Sequence, residues 1–306
     1  MDRLEAMSIL VAAVEGGSFT AASRKLGMPL PTVSRKVAEL EVHLNARLLI
    51  RTTRRLTLTD AGEAYLAASR TILEQVAEAE RAASGEYLTP RGTLAIAAPI
   101  VFGRLHVLPA VNAFLAAFPD IDVQLVLSDR NADLVSDQLD VAVRIGPLHD
   151  SSMIATRVGA VRYVVCASPA FLATHGTPKT PDDLAGLPCV TFGVNATASW
   201  SFAAKRRAAR SIPVRSRLVV NTAEAAVDAA VAGVGLTRVL SYQALAAIRE
   251  KRLKVVLANF EGEPLPVHLV YPAQSHLPLK LRRFLEFAAP HLKKALAGID
   301  RHTPPR

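Results

Sequence analysis

Cysteine is nearly absent from this chain: Cys166 and Cys189 are the two examples in 306 residues. They are too few and too far apart for a disulfide framework, a CxxC redox pair or a metal-ligand spacing, and their apolar settings fit a reducing compartment. No apolar run approaches the roughly 20 residues of a membrane span. Met1-Asp2-Arg3-Leu4-Glu5 carries charges where a signal peptide has its apolar core. Neither a membrane nor export is therefore expected, and elimination leaves a bacterial-type cytoplasm. HExxH, GxSxG, a Walker loop and a GxGxxG after the first strand are also missing. Gly233-Val234-Gly235 is explained by packing. An enzyme is disfavoured on these grounds, and no cofactor or metal is expected. Acidic residues are the scarcer charge, 27 against 36 lysines and arginines, for a net +9. That balance suits a polyanionic partner, although charge governs non-specific association and not fold.

With half its residues hydrophobic, the chain is globular and long enough for two or three domains with separate cores. Its most telling stretch is Ser18–Leu44. Leu4, Met7, Val11 and Val14 recur at helical spacing and predict a first helix over 3–15 with those residues as its buried face. Gly16-Gly17 ends it, Ser18 is an N-cap for a second helix through Ala21, Ala22 and Leu26, and Gly27 supplies a left-handed turn. A third helix begins at Pro29–Pro31, where proline is tolerated. Its stripe of Val33, Val37, Leu40 and Leu44 places Thr32, Arg35 and Glu39 on the opposite side, with Ser34 and Lys36 on the flanks. This is the build of a helix-turn-helix, whose last helix enters the major groove of DNA by its N-terminal end. Arginine suits guanine or phosphate, and hydroxyls suit base edges or backbone. A solvated helix face is the alternative reading of the same pattern.

The following segment favours DNA. Arg47–Thr59 alternates as two short strands around a basic tip, a wing that would set Arg51, Arg54 and Arg55 along the phosphates. A helix then runs from Thr59 or Asp60 to about 84–85. Tyr65, Ser69, Ile72, Val76, Ala79 and Ala83 form a coiled-coil-like seam, widened by Leu66 and Leu73. A second copy of the chain is the simplest partner for that seam; packing on its own domain is the other reading.

These residues resemble the LysR-type transcriptional regulators. The matches are Phe19-Thr20-Ala21-Ala22, Val33-Ser34-Arg35, Leu40-Glu41, Leu48-Leu49, Arg51-Thr52 and Leu58-Thr59-Asp60-Ala61-Gly62, in family order over about 60 residues. They continue in Ser128-Asp129-Arg130, Asp140–Gly146, Ala167-Ser168-Pro169 and Val231–Gly235, so the resemblance covers nearly the whole chain. It implies double-stranded operator DNA as partner, a small-molecule effector, and a homodimer or homotetramer. The DNA-binding residues expected are Ser18, Thr20, Leu30, Pro31, Thr32, Ser34, Arg35, Lys36, Arg51, Arg54 and Arg55. Many members carry Ser-Gln-Pro or Ser-Gln-Ser where this chain has Pro29-Leu30-Pro31. A glutamine reads a base, whereas Leu30 touches only a thymine methyl or packs.

From Arg91-Gly92 the pattern changes to α/β. Thr93–Ala98, Ile121–Leu127 and Asp140–Ile145 read as strands, Gly103–Phe118 as a helix, and Leu134, Val135 and Leu139 as a short one. A second series follows: strands at Arg162–Ala167, Cys189–Phe192, Leu218–Asn221 and Val234–Arg238, and helices at Pro169–His175 and Thr222–Ala232. Leu265–Tyr271 reads as a strand, Leu279–Leu296 as the last helix, and Thr303–Arg306 as a disordered tail. Strands alternating with helices predict parallel sheets. Two such halves predict a hinged pair around a cleft, and the resemblance implies the same, a periplasmic-binding-protein-like effector domain. The expected layout is a winged helix-turn-helix (1–60), a linker helix (61–85) and a two-lobed α/β effector domain (92–306). Lobe I takes 92–162 and 267–306, and lobe II takes 163–266.

Ligands of open α/β sheets bind beyond the carboxyl ends of strands. That rule points to Pro99–Gly103, Ser128–Arg130, Arg144–Gly146 and Asn221–Glu224. The effector contacts expected are Pro99, Ile100, Val101, Phe102, Ser128, Arg144, Gly146 and Thr222. Many relatives place a Ser or Thr after the first strand to bind a carboxylate; here that stretch is apolar. Arg144 meets an anion or pairs at a strand end. Phe102, Trp200 and Phe202 line a pocket or pack in a core. Lys205-Arg206-Arg207, Arg210, Arg215 and Arg217 form a basic block with no acid inside it, a solvated loop or a second contact with bent DNA. A solute receptor would fit the second half alone, but it needs export and leaves 1–60 without a role. A thiol sensor is the remaining rival, and a buried thiol is usually inert. Replacing both Cys166 and Cys189 by serine should leave operator binding and its regulation intact in a promoter assay; loss of regulation would revive the sensor.

Overall fold

The computed structural model describes every residue except 52–55, 84–88, 131–132, 135, 149–152, 194–198, 205–206, 274–276 and 301–306. Arg54, Arg55, Lys205, Arg206 and the 303–306 tail therefore lie outside the described residues, as do the side chains of Arg51, Ala83 and Arg207. The chain forms two compact units, Met1–Gly92 and Thr93–Arg306.

The first unit opens with α1 (Arg3–Glu15), capped by the Asp2 carboxylate on the Leu4 and Glu5 N–H groups. Its buried residues are Ala6, Met7, Ile9, Leu10, Ala12 and Ala13, whereas Val11 and Val14 are half-buried and Leu4 is exposed. The expected face was therefore misplaced. This helix is apolar on nearly all sides, so spacing does not single out a face; its neighbours do. α2 (Phe19–Leu26) starts at Ser18, whose Oγ accepts from Ala21 N–H at 3.1 Å. It ends at Gly27 in the left-handed region, φ 63°. α3 (Leu30–Leu44) buries Val33, Val37 and Leu40 completely, each contributing roughly 1.5–3 kcal/mol.

The wing pairs β1 (Leu49–Arg51) antiparallel with β2 (Leu56–Leu58), Leu49 opposite Leu58. Two side chains converge on the backbone just before it. Glu41 Oε1 accepts from Leu48 N–H at 2.8 Å and from Leu49 N–H at 3.0 Å. The Thr59 hydroxyl donates to Arg47 O at 2.7 Å and accepts from Gly62 N–H at 3.0 Å. α4 (Asp60–Ala83) then leaves with Gly62 against the Leu48 carbonyl, where a Cβ would collide with backbone.

The second unit holds two five-stranded sheets. β3 (Gly92–Ala98) leads into α5 (Ile100–Phe102), a π-helical stretch at Gly103–Val107, and α6 (Leu108–Ala117). The helical run Ile100–Ala117 is long and apolar enough by length and composition to cross a membrane, which the expectation from apolar runs did not register. Here Phe102, Val107, Val111 and Phe114 of that run are buried in the core of lobe I. β4 (Ile121–Leu127), β5 (Val141–Ile145) and β6 (Met153–Val161) follow. The helix expected around Leu134–Leu139 is a turn, with Leu139 N–H on Leu134 O and Gln138 at φ 54°.

The chain crosses at Arg162 into β7 (Tyr163–Ala167), α7 (Pro169–His175), β8 (Pro188–Phe192) and the hairpin of β9 (Ser199–Ala204) and β10 (Arg207–Pro213). Next come β11 (Arg215–Val220), α8 (Ala223–Val231), β12 (Leu236–Leu240), α9 (Ser241–Arg249) and β13 (Lys254–Val256). β14 (Leu265–Pro272) and α10 (Leu279–Asp300) return to the first sheet. The strand orders are β4-β3-β5-β14-β6 and β11-β8-β12-β7-β13.

Both sheets are mixed, which corrects the parallel expectation. β3 and β5 are parallel, but the returning β14 runs antiparallel to β5 and β6. β8 is parallel to β11 and β12, while β7 is antiparallel to β12 and β13. The strands that carry the chain between lobes run against those of the local crossovers. Residue alternation divides lobe II into two cores, Val165 and Leu236 against Trp200, Phe202 and Ile212, and Val164, Cys166 and Val239 against Ala244 and Leu253. The Gly235 position explains the glycine pair: a Cβ there would press on the Pro188 backbone of the neighbouring strand.

The two crossings are tied together. Arg162 O accepts from Ser241 N–H at 2.7 Å, and the Arg162 guanidinium lies 3.2 Å from the Glu261 carboxylate of the return segment. Replacing Gly62 by alanine should destabilise the first unit by about 1–3 kcal/mol or more, since the obstacle is backbone; an unchanged midpoint in urea would show that α4 can shift.

Candidate nucleic-acid interface and ligand cleft

On α3 the buried stripe leaves a polar outer side. Arg35 is 66% exposed and lies 3.4 Å from Glu39 one turn on, an exposed pair that orients the guanidinium weakly. Leu30 and Pro31 are exposed in the first turn, and Thr32 and Ser34 are half-buried beside them. Thr20 is exposed at the start of α2, and Ser18 is half-buried in its capping role. Lys36 is placed differently from expectation. Its ammonium sits 2.5 Å from Glu5 of α1, with 18% of the side chain exposed. Helical spacing put it on a flank; the proximity of a residue 31 positions earlier turns it inward.

The α4 seam divides. Leu66 and Ser69 are buried and Tyr65 is half-buried in the first unit, with Ser69 Oγ donating to Tyr65 O. Further on, Ile72 and Ala79 are exposed and Leu73 and Val76 half-buried. The front of the helix thus belongs to its own unit, and the rear keeps apolar side chains accessible.

Between the lobes of the second unit lies a cleft of about 340 Å³. Pro99, Ser128 and Arg144 line it as expected, with Asp129, Arg130 and Asn221 from the strand-end segments. Five expected contacts lie elsewhere. Val101 and Phe102 turn into the core, because the helix begins directly after Pro99. The Gly146 N–H bonds Pro266 O at 2.8 Å. Thr222 caps α8, its Oγ1 accepting from Ala225 N–H. Ile100 is absent from the lining as well; its N–H donates to Asp129 Oδ1 at 3.0 Å. Trp200 and Phe202 are core residues of lobe II.

Lobe II contributes lining that the strand-end reading passed over: Tyr163, Phe192, Gly193, Leu240, Tyr242 and Gln243. Phe192-Gly193 and 240–243 follow β8 and β12, parallel neighbours, so the same rule would have reached them. The lobes also touch beside the cleft. Phe102 meets Tyr242 edge-on at 5.4 Å, and Arg104 pairs with Glu224 at 2.9 Å. Burial pushes the Tyr242 hydroxyl pKa up, helped by the Asp129 charge, so it stays protonated.

The basic block is not free of acids in three dimensions: Arg210 pairs with Asp182 at 2.7 Å, while Arg215 and Arg217 are exposed on β11. Burial raises the thiols of both Cys166 and Cys189 to about 12, which keeps them protonated and unreactive.

A winged helix-turn-helix joined to a two-lobed domain with a cleft defines a ligand-responsive, DNA-binding regulator. The family comparisons agree along the chain. Residues 4–63 match the bacterial regulatory helix-turn-helix model of the lysR family, and residues 89–293 match the LysR substrate binding domain. The chain belongs to the LysR family of transcriptional regulators and is not an enzyme.

Among its relatives, the HTH-type transcriptional activator AaeR of Escherichia coli (strain K12) is 33% identical over 283 residues, covering 92% of this chain and 91% of AaeR. An HTH-type transcriptional repressor of Pseudomonas aeruginosa is 34% identical over 298 residues, covering 94% and 91%. Full-length AphB, a virulence activator of Vibrio cholerae, has a solved structure with TM-score 0.60 at 29% identity, over 94% of this chain and 98% of AphB. The Corynebacterium glutamicum LysG structure with bound effector Arg shares the fold, TM-score 0.62 at 22% identity, over 96% and 99%.

Replacing Lys36 by glutamine should lower stability by about 0.5–1 kcal/mol, a figure kept small by partial exposure. The ratio of operator to random-DNA affinity should stay constant; a changed ratio would show that Lys36 leaves Glu5 to contact DNA.

Proposed function

We propose that this regulator reads operator DNA with the N-terminal end of α3, supported by the start of α2 and the wing. The contacts are Thr20, Leu30, Pro31, Thr32, Ser34 and Arg35, with Ser18 at the α2 cap and Arg51, Arg54 and Arg55 on the phosphates. The observation carrying this reading is Arg35, exposed on the side of α3 opposite a fully buried stripe. A helix N-terminus also turns a positive dipole toward phosphate.

The chain acts as a homodimer or homotetramer, with the accessible rear of the α4 seam as the pairing surface of two heads. Two heads meet half-sites about 34–36 Å apart or a multiple of that. The DNA partner places the protein in the cytoplasm. The domain boundaries that fit this division of labour are 1–60, 61–85 and 92–306. A small molecule in the inter-lobe cleft, touching Pro99, Ser128 and Arg144, regulates binding. It does so to the extent that its affinity differs between lobe arrangements.

Footprinting on the DNA flanking the protein's own coding region, with and without candidate small molecules, tests this reading. Arg35→Ala should cost about 1–3 kcal/mol of operator affinity and relax one base position. Neutralising Arg54 or Arg55 should weaken all sequences alike and flatten the salt dependence. Intact operator affinity in Arg35→Ala would overturn the orientation assigned to α3.

A further inference from the structure

The lobe I sheet has a second face, away from its main core, and basic side chains cross it. Strand register sets His268 of β14 opposite Arg144 of β5 on one side and Arg157 of β6 on the other. Ala142 and Val270, two positions along, belong to the small apolar cluster of that face, whereas Val143, Val267 and Leu269 lie in the main core. The pairing of β14 with β6 shifts register between Val267 and His268. Val158 is buried in the main core, and Gly159 lies against Leu296 of α10. Two successive residues of β6 thus face α10, and the bulge leaves Arg157 on the outer face. Bulges re-aim side chains and recur beside functional sites.

Arg144 has a partner of its own, so the donors open to a ligand are those of Arg157 and His268. Arg157 is exposed, and its Nε donates to Gly159 O at 3.5 Å. Its Nη1 and Nη2 have no partner among the described residues. His268 is half-buried, and its Nδ1 is shut off from solvent with no hydrogen bond among the described residues. Nε2 is then the nitrogen that faces outward. Burial, and after it the Arg157 charge, push the His268 pKa below the ordinary 6.5. The ring is therefore neutral at neutral pH, facing Arg144 from β5 and Arg157 from β6. Pro266 and Val270, its same-face neighbours on β14, carry no charge. Like charges opposite each other on paired strands repel, so a second cation forms here only with an anion beside it.

We propose that Arg157 and His268 form a site for a tetrahedral dianionic oxyanion, of the phosphate or sulfate type, on the outer face of lobe I. Neither residue lines the inter-lobe cleft, and the site does not depend on the cleft's role. The Arg157 fork and the His268 Nε2–H approach from different strands. That arrangement suits oxygens in more than one plane, whereas a planar carboxylate is met by the fork alone. A bound dianion favours the imidazolium, so the site takes up a proton as it fills. A free phosphate and a phosphate ester share this chemistry.

The test is calorimetric titration of the full-length protein with sodium sulfate, phosphate, glycerol phosphate and acetate, at ionic strength held constant with sodium chloride. Sulfate and phosphate should bind, and acetate should bind at least about tenfold more weakly, equivalent to about 1.4 kcal/mol. Sulfate keeps its charge throughout, so its affinity should rise about three- to tenfold between about pH 8 and pH 6, as the ring gains its proton. Arg157→Gln should lose about tenfold for sulfate. His268→Gln should bind sulfate with no such pH dependence. Lys293→Gln, which removes an exposed charge from α10 on the other side of the sheet, should bind as the native protein does.

No sulfate or phosphate binding at millimolar concentration overturns the proposal. So does an equal loss in Lys293→Gln, which would mean general charge attraction only. Acetate binding as tightly as sulfate overturns the tetrahedral class. A sulfate affinity flat with pH, or a pH dependence kept by His268→Gln, overturns the part assigned to His268. Tighter binding of glycerol phosphate than of phosphate assigns the site to esters, and weaker binding assigns it to the free ion. If His268→Gln fails to fold by circular dichroism, Arg157→Gln and the native pH profile decide.

Discussion

The Glu41 carboxylate, accepting from the N–H groups of both Leu48 and Leu49, is the interaction on which the DNA-facing unit depends. Leu48 is buried, so those donors have no access to water. Left unmade, each would cost about 1–3 kcal/mol. The bond ties the end of α3 to the start of the wing, and thereby fixes the angle between the two. Thr59 closes the other strand onto Arg47, and Gly62 admits α4 against the same backbone. Three separated residues, all within the stretches that resemble the LysR family, serve one junction. The direction in which α4 leaves the head is decided there too.

The second unit poses a different problem, since two lobes must remain one domain. Its crossings lie side by side, joined by Arg162 to Ser241 and to Glu261. Buried charges of this kind contribute less to stability than to holding one geometry. Farther out, the Arg104–Glu224 pair is exposed and cheap to break, and Phe102 meets Tyr242 across the same boundary. The relatives include both an activator and a repressor. Membership of the family therefore does not fix the sign of regulation.

How far the sequence was legible depended on pattern contrast. The α3 stripe and its outer face stood out because apolar and polar residues alternate with helical period. α1 lacked that contrast: Leu4, Val11 and Val14 look as buried as Ile9 and Leu10, and only packing against its neighbours separates them. In the second unit, β6, β9, β10, β13 and α9 went unread, since their residues mix apolar and polar without a clean period or turn signals. The strand-end rule reached Pro99, Ser128, Asp129, Arg130, Arg144 and Asn221. It overshot to Val101 and Phe102, because a helix that begins after Pro99 rotates those side chains into the core.

Composition, helical spacing and the linked family residues determined the class of protein, the buried stripe and polar outer side of α3, and the alternation that builds two α/β lobes. These are properties of neighbours along the chain, and local sterics and burial express them directly. Tertiary structure alone decided that Lys36 turns to Glu5, that Asp129 takes the Ile100 N–H, that Arg210 finds Asp182, and that rings from lobe II face arginines from lobe I. The first three of these join residues 28 or more positions apart, and no local period encodes such a pairing. It exists only once the backbone has closed and the unmet charges and donors have found what lies within reach.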